Sequence, residues 1–356
     1  MAVKAEYEKN GFDILRYAAA LSVMLLHYSS YAMILSEKLP VHAGAVMDKT
    51  REIALLFPGV VMLFAISGFL VSASFERAKT REEFFRRRVL RMYPELWICT
   101  AVNLAVVCLL VPELLDRSVI LWLGTQILGI ANTPDCLKDF ATGSVNGALW
   151  TVFTEVQLYI VLGIVYPCLR KLKNIHWAAV LIGLAALNLA CGEVIQDSAG
   201  MIPKLVERTC IPYALWFFIG VFCYRKRQEA LPVLKTAFLP LLVVYLITES
   251  TESAGIRLPG YYTDIATGIL LPLLVIGCAY CLPKVRWKVD LSYGMFLYHW
   301  ILLNIIVHYD LMNRLPWYAG LLLFLAGSVG TAAISRRLNI FCQTMCRKFL
   351  KKTLAS

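Results

Sequence analysis

The sequence is poor in charged residues. Only 17% of its 356 residues are charged, while 59% are hydrophobic, and the mean hydropathy is +0.66. Typical soluble domains are about 45–50% apolar and about 25% charged. A chain of this length cannot bury so much apolar surface in a protein core. The composition therefore excludes a soluble globular fold and indicates a lipid environment.

Several other signals are absent. Residues 1–10 are polar, and no small-residue cleavage site follows the first apolar run, so we expect no cleaved signal peptide. There is no internal repeat, linker or low-complexity stretch. Eleven cysteines are present, but none has the spacing of a zinc site. The pair Cys278 and Cys281 closes an apolar run without a second ligand pair, so we expect no metal and no redox role.

Long apolar runs are abundant. A helix needs about 20 apolar residues to cross a bilayer core of about 30 Å. The sequence predicts an all-α membrane bundle of about ten transmembrane helices, at 12–34, 54–75, 95–111, 148–169, 175–191, 210–224, 235–249, 264–281, 290–308 and 316–335. A further apolar piece, 118–131, is too short and is predicted to be re-entrant or interfacial.

The positive charges set the orientation. With a cytoplasmic N-terminus, the inner segments hold 25 of the 35 Lys and Arg residues and the outer segments hold 9, while Arg16 lies inside a span. This asymmetry follows the positive-inside rule and places both termini in the cytoplasm. Residues 1–340 then form one transmembrane domain, and 341–356 form a short basic tail against anionic headgroups. The net charge of +11 thus reflects membrane topology, and no nucleic-acid partner is expected.

Four ionisable residues inside predicted spans stand out as candidates, because charge is costly there. Arg16 and His27 are eleven residues apart and share one helix face, with His27 about 16 Å deeper. Glu155 lies about 12 Å below the outer edge of its span, near the depth of His27, so the two can pair. His299 is about 13 Å deep and is flanked by Tyr298. The alternatives are a snorkelling arginine, a structural ion pair of Glu155, and histidines that only pack.

An arginine cluster marks the predicted cytoplasmic mouth. Four arginines, Arg86, Arg87, Arg88 and Arg91, precede the third span. Arginine forks bind phosphate oxygens well, although charge at a span start also serves topology or lipid contact. Ser67 and Gly68 lie within reach of that mouth, where a glycine permits close approach of a backbone or a ligand.

These depths favour a group transfer across the membrane, with a phosphorylated donor inside and a histidine base near the outer side. Intramembrane His, Glu and Arg also occur in proton-coupled transporters, here of polysaccharide precursors or small anions. A transporter is the alternative, although matching interrupted spans are missing. A membrane scaffold without chemistry leaves His27, Glu155 and His299 unexplained.

Five separated motifs resemble those of the acyltransferase-3 family of membrane acyltransferases, in the same order. They are Leu15-Arg16 through His27, FAISGFL at 64–70, RRVLRMYP at 87–94, LWTVFTE at 149–155, and SYGMFLYH at 292–299. The resemblance covers most of the chain. It implies about ten spans in a cell membrane, an acyl-CoA donor, commonly acetyl-CoA, and acceptor hydroxyls on cell-surface or exported glycans.

The resemblance also implies roles for residues. His27 is similar to the family's catalytic base and Glu155 to its acidic position, while Arg16, Arg88 and Arg91, with Ser67 and Gly68, are expected on the donor side. Tyr298, His299 and Trp150 are further site candidates. Val156 departs from the pattern, because the family often has a second acid there. No SGNH-type domain follows, so the chain is expected either to acylate its acceptor directly or to need a separate extracytoplasmic partner.

Overall fold

A computed structural model describes residues 10–35, 40–196, 200–253, 255, 258–285, 287 and 289–353. These residues are mainly α-helix and contain no β-strand, so the all-α prediction is confirmed. The N-terminal lysines used for orientation, Lys4 and Lys9, and the last residues of the basic tail lie outside the described residues. The same is true of the loop cations Lys38, Arg257, Arg286 and Lys288.

The described residues form fifteen α-helices and three short 3-10 turns. The helices are α1 Phe12–Leu35, α2 Val41–Leu56, α3 Gly59–Arg77, α4 Arg81–Leu110, α5 Ser118–Ile127, α6 Leu149–Leu169, α7 Asn174–Gln196, α8 Met201–Glu207, α9 Ala214–Arg225, α10 Arg227–Thr236, α11 Phe238–Ser253, α12 Ile265–Cys281, α13 Ser292–His308, α14 Leu311–Arg314 and α15 Trp317–Thr353. The 3-10 turns are Pro112–Leu114, Asp135–Leu137 and Ile211–Tyr213.

Each of the ten predicted spans coincides with helix. Among the described residues, six helices are long and apolar enough to cross a bilayer, or up to eight if each of two bent pairs is one span. The bent pairs are Met201–Glu207 with Ile211–Arg225 and Arg227–Thr236 with Phe238–Thr251. The prediction of a multi-spanning helical protein is therefore confirmed, whereas the count of ten and the cytoplasmic termini stay predictions.

Two helices have lengths that matter for the membrane. Helix α5 has 10 residues and is about 15 Å long, half of a bilayer core, which agrees with a re-entrant or interfacial segment. Helix α15 has 37 residues and is about 55 Å long, far more than a bilayer core needs. The predicted last span is thus only its first part, and the basic C-terminal segment continues the same helix as far as Thr353.

The chain forms two compact units. The first unit comprises the described residues within 1–22, 55–85 and 154–288. Its helices α3 and α9 cross at two glycines. A Cβ on Gly68 would lie 1.9 Å from the carbonyl oxygen of Phe217, and one on Gly220 would lie 2.2 Å from that of Ala65. Small residues at a crossing allow this backbone approach, as is common between membrane helices.

The second unit comprises the described residues within 23–54, 86–153 and 289–356. Helices α13 and α15 pack together, with Gly294 of α13 lying against Ala332 of α15. Tyr28 of α1 packs on Phe324 of α15, with ring centroids 5.0 Å apart. A separate apolar cluster joins the end of α4, α5 and the connector that follows. Its buried members are Val107, Val111, Val119, Trp122, Leu137, Phe140 and Val145.

Candidate active site

Two histidines that the sequence singles out meet inside the second unit. Nδ1 of His27 on α1 lies 2.9 Å from Nε2 of His299 on α13. The rings are nearly parallel, with an interplanar angle of 5°. His299 is fully buried, whereas His27 is only partly buried. His27 is therefore the histidine of the pair that a substrate can reach.

The hydrogen bonds of the pair assign its protons. Nδ1 of His299 lies 2.7 Å from the carbonyl oxygen of Phe296, which can only accept. The proton of His299 therefore sits on Nδ1, and its Nε2 is an acceptor. Nδ1 of His27 must then donate to His299. In a neutral His27 this leaves the lone pair on Nε2, which is the arrangement that a general base needs.

Trp300 forms a wall beside His27. The two rings meet edge to face with centroids 4.7 Å apart. The indole Nε1 donates to Oγ1 of Thr142 at 3.0 Å and to the carbonyl oxygen of Ser144 at 3.1 Å. A Cβ on Gly147 would lie 2.5 Å from the indole ring, so only glycine leaves room for it. The loop before α6 thus fixes Trp300, and Trp300 limits the space around His27.

The same loop is tied to α13 by buried amides. Asn304 is fully buried, and its Oδ1 accepts from Oγ1 of Thr142 at 2.6 Å. Its Nδ2 donates to the carbonyl oxygens of Ser144 and Val145 at 2.9 and 3.1 Å. Asn146 donates to the carbonyl oxygen of Leu297 at 3.0 Å. Buried polar groups with complete hydrogen bonding hold one conformation, so the loop is a rigid part of the site.

Tyr298 has a structural role as a buried side chain between two helices. Its hydroxyl donates to Oγ of Ser335 on α15 at 2.7 Å, and its side chain is fully buried. Adjacent helical residues point about 100° apart, so Tyr298 and His299 do not share a face. The tyrosine thereby joins α13 to α15 and holds the helix that carries His299.

Glu155 belongs to the first unit, where it forms a cluster with two hydroxyls. Its Oε1 accepts from Oγ of Ser67 at 2.5 Å and also from the hydroxyl of Tyr159. The two hydroxyl oxygens are 3.1 Å apart. The carboxylate therefore has local partners, and Ser67 is one of them. The predicted pairing of Glu155 with His27 would join residues of different units and stays a prediction.

The packing of α3 explains why position 68 is a glycine. The place that a Cβ would take on it is filled by the backbone of Phe217. The close approach expected at this glycine is thus made by helix α9. Its assignment to donor binding stays a prediction, and the contact with α9 accounts for a glycine at this position.

The predicted donor-side arginines differ in their surroundings. Arg16 forms a salt bridge with Asp13, three residues before it on α1, and its side chain is 16% exposed. Arg88 is partly buried and Arg91 is exposed, and their spacing of three residues places them on one side of α4. Trp150 is partly buried in the first turn of α6.

Within the described part of the chain, no group of three or more His, Cys, Asp or Glu residues is arranged to hold a metal ion. The two histidines of the site have no third ligand of this kind beside them. Cys278 and Cys281 are free thiols. The chemistry that this arrangement offers is proton transfer by an oriented imidazole.

Comparison with known proteins identifies the family. A family model described as an acyltransferase domain matches residues 9–336. The chain belongs to the acyltransferase-3 family. It is 26% identical to "Nodulation protein 10" of Rhizobium leguminosarum bv. viciae over 347 residues, 92% of this chain and 90% of that protein. It is 21% identical to an "O-acetyl transferase" of Shigella phage Sf6 over 309 residues, 85% of this chain and 87% of that protein. No solved structure matches the chain.

The family decides between the alternatives that the sequence left open. Its matched region covers nearly the whole chain, so the expected acyltransferase is confirmed and the transporter is disfavoured. The O-acetyl transferase relative supports the expected enzyme class, an O-acyltransferase. Together with the apolar helices, the family also supports a membrane protein.

Sequence reasoning missed Trp300 and Asn304. A signal for both was present, because Trp300 directly follows His299, and Asn304 is a lone amide one helical turn later in an apolar run. Their partners, Thr142 and Ser144, lie in a connector without periodicity. Nothing in that connector marks the residues that contact α13.

Proposed function

We propose that the protein transfers an acyl group, most commonly acetyl, from acyl-CoA to a hydroxyl of a cell-surface or exported glycan. The observation that carries this proposal is the chain of hydrogen bonds from the Phe296 carbonyl through His299 to His27. It supports an oriented base in a protein whose family transfers acyl groups.

The proposed reaction is a direct transfer. Nε2 of His27 takes the proton of the acceptor hydroxyl while the hydroxyl oxygen forms a bond to the thioester carbonyl carbon. The carbon–sulfur bond breaks, and the CoA thiolate takes the proton back from His27. As His27 becomes charged, its bond to His299 strengthens, because hydrogen bonds with a charged donor are about twice as strong.

The donor is proposed to dock from the cytoplasmic side. Arg88 and Arg91 are suited to its phosphates because both stand on one side of α4 and arginine forks match phosphate oxygens. Arg16 is a weaker candidate, since Asp13 already neutralises it. The acceptor is proposed to be a glycan or glycolipid at the outer face of the cell membrane, reached directly or through a separate extracytoplasmic partner.

Glu155 is proposed as a second residue of the reaction. The sequence predicts that it orients His27, whereas in the structure Nδ1 of His27 already donates to His299. A Glu155→Gln variant keeps the size and the acceptor oxygen for Ser67 but removes the charge. If the charge acts on His27, this variant should lower kcat at unchanged stability. Normal kcat would limit Glu155 to packing with Ser67 and Tyr159.

The test is release of CoA thiol from short acyl-CoA by purified protein in detergent, with membrane glycan extract as the acceptor source. His27→Ala should lower the rate by about 10²–10⁴, the usual contribution of general-base catalysis. The matched control is His176→Ala, which removes an exposed histidine of α7 and should leave the rate unchanged. Thermal unfolding of each variant checks that it remains folded.

Two results would contradict the proposal. One is a His27→Ala protein that releases CoA as fast as wild type. The other is a wild-type protein that releases no CoA from any short acyl-CoA with extract present. The second result would make liposome uptake of candidate precursors the next measurement.

A further inference from the structure

The indole of Trp300 closes one side of His27. Its ring centroid lies 4.7 Å from that of His27 and 6.2 Å from that of Tyr31, and it meets both rings edge to face. His27 and Tyr31 are four residues apart and therefore neighbours on one face of α1. The indole thus occupies the space beside two successive turns of α1. Only 8% of Trp300 is exposed, so this side of His27 is filled.

A strained turn in the connector before α6 supports the indole. Ala141 and Gly143 both have left-handed backbone, with φ of 49° and 75°. Glycine adopts this conformation readily, but it is unfavourable for an alanine. Strain of this kind persists only where the surrounding structure over-determines it, and it is concentrated at functional sites. The residue between the two is Thr142, and its contacts show what the turn holds in place.

Thr142 bonds to side chains from α1 and α13. Its carbonyl oxygen accepts from the hydroxyl of Tyr31 at 3.2 Å, and its N–H donates to Oδ1 of Asn304 at 3.2 Å. Its Oγ1 accepts from Nε1 of Trp300 at 3.0 Å. The indole is also packed against backbone, because a Cβ on Gly147 would lie 2.5 Å from its Cζ2. Hydrogen bonds and backbone packing together prevent the ring from moving aside for a larger group.

A buried tryptophan can also serve packing alone. Packing between helices is satisfied by an aliphatic side chain, which has no N–H group that needs a partner. A strained turn that receives the indole N–H is not required for that purpose. Contact of the fixed ring with His27 instead favours a role in the space where the reaction occurs.

The reaction brings two groups of different size to His27. The acceptor oxygen lies within hydrogen-bond distance of Nε2, about 2.6–3.2 Å. The carbonyl carbon of the acyl group must lie about 3–3.5 Å from that oxygen before the bond forms. The acceptor sugar is the larger group, so it needs the open side of His27. The side that Trp300 closes is left to the acyl group and has room only for a short chain.

We propose that Trp300 determines the length of the acyl group, and that its fixed indole restricts transfer to acetyl and similarly short groups. Thr142 is a positioning residue, because it acts through Trp300. The inference rests on the proposed function and adds the residue that selects the acyl group. It concerns the acyl group alone, since His27, Thr142 and Trp300 all belong to the second unit.

The experiment compares kcat/KM for acetyl-CoA and butyryl-CoA in the CoA-release assay, with full-length protein in detergent and glycan extract as the acceptor source. Wild type should prefer acetyl-CoA by about tenfold or more, because one methylene in an apolar pocket already changes discrimination by about 10- to 200-fold. Trp300→Phe, with its smaller ring, should lower this preference by about tenfold. The matched control is Trp122→Phe, which shortens a buried tryptophan of the separate apolar cluster and should keep the wild-type preference. Equal preference in the two variants would overturn the inference.

A second pair of variants tests the support of the indole. Thr142→Val removes the hydroxyl that accepts from Trp300 and should lower the preference for acetyl-CoA, whereas Thr142→Ser keeps the hydroxyl and the preference. A merely structural role would reduce the activity with both donors equally and leave their ratio unchanged. Thermal unfolding checks the fold of each variant. If Trp300→Phe does not fold, equal preferences in the two Thr142 variants would overturn the inference.

The acceptor side is tested by the amount of extract that gives half of the maximal rate. If Trp300→Phe changes this amount and leaves the preference for acetyl-CoA unaltered, the indole faces the acceptor and the inference fails. Equal use of butyryl-CoA and acetyl-CoA by wild type would refute the chain-length assignment and leave the proposed function intact. No release of CoA from any acyl-CoA would refute the proposed function, and the inference with it.

Discussion

Replacement of His299 by leucine tests the hydrogen-bonded histidine pair. A hydrogen bond between neutral groups contributes about 0.5–1.5 kcal/mol, and one with a charged group about 1.5–3 kcal/mol. The bond from His27 to His299 changes from the first kind to the second when His27 takes up a proton. The difference, about 1–1.5 kcal/mol, stabilises only the protonated His27 that forms during the reaction. Its loss in His299→Leu should therefore lower kcat about 5- to 13-fold.

The assay is steady-state CoA release with a saturating acceptor extract, fitted for kcat and KM separately. His299→Leu should lower kcat and leave KM for acyl-CoA unchanged, because the fully buried His299 acts on the reaction through its hydrogen bond to His27. His299→Gln, whose carbonyl oxygen can accept from Nδ1 of His27, should recover part of the loss. A purely structural role would give two variants with equal activity per folded molecule. That result, or normal kcat in the leucine variant, would refute the reasoning.

Two further predictions concern packing, and thermal unfolding in detergent tests both. Gly68→Ala places a Cβ 1.9 Å from the carbonyl oxygen of Phe217 and should destabilise the folded protein by about 1–3 kcal/mol. The control is Gly183→Ala, where the Cβ meets open space, and it should stabilise the folded protein by about 0.5–1 kcal/mol. Equal changes in unfolding temperature for Gly68→Ala and Gly183→Ala would contradict the close crossing of α3 and α9. Asn304→Ala removes the acceptor of Thr142 Oγ1 and the donor to the carbonyl oxygens of Ser144 and Val145, so unfolding temperature and kcat should both fall. An unchanged protein would contradict the anchoring role.

The sequence predicted the helices better than their boundaries. The predicted span 95–111 is the second half of α4, which begins at Arg81. A capping arrangement sets that start, because the backbone N–H of Glu83 donates to Oγ1 of Thr80 and the carboxylate of Glu83 accepts from the backbone N–H of Lys79. Hydropathy reports where lipid can surround a helix. It does not report where the hydrogen-bonded helix begins.

The sequence also singled out both histidines without predicting their contact. They are 272 residues apart, and depth along two helices does not define the rotation of either helix. Of the residues at the bilayer depth of His27, Glu155 looked like the natural partner because it carries charge. The spacing of Glu155 and Tyr159, four residues on one helix, is a signal for their contact that can be read from sequence.

The sequence predicts where a close backbone approach occurs, but not which element makes it, because that depends on tertiary packing. A glycine at position 68 indicates that something lies close, but the sequence cannot tell a ligand from a neighbouring helix. The structure places Phe217 there.

The most direct test of the central claim is transfer of radiolabelled acetyl from acetyl-CoA into the membrane glycan fraction. Wild-type protein should place the label in a hydroxylamine-sensitive ester. The rate of ester formation should be lower by a factor of about 10²–10⁴ in His27→Ala and equal to the wild-type rate in His176→Ala. An equal yield of ester from wild type and His27→Ala, at equal thermal stability, would contradict the claim that His27 is the base of an acyl transfer.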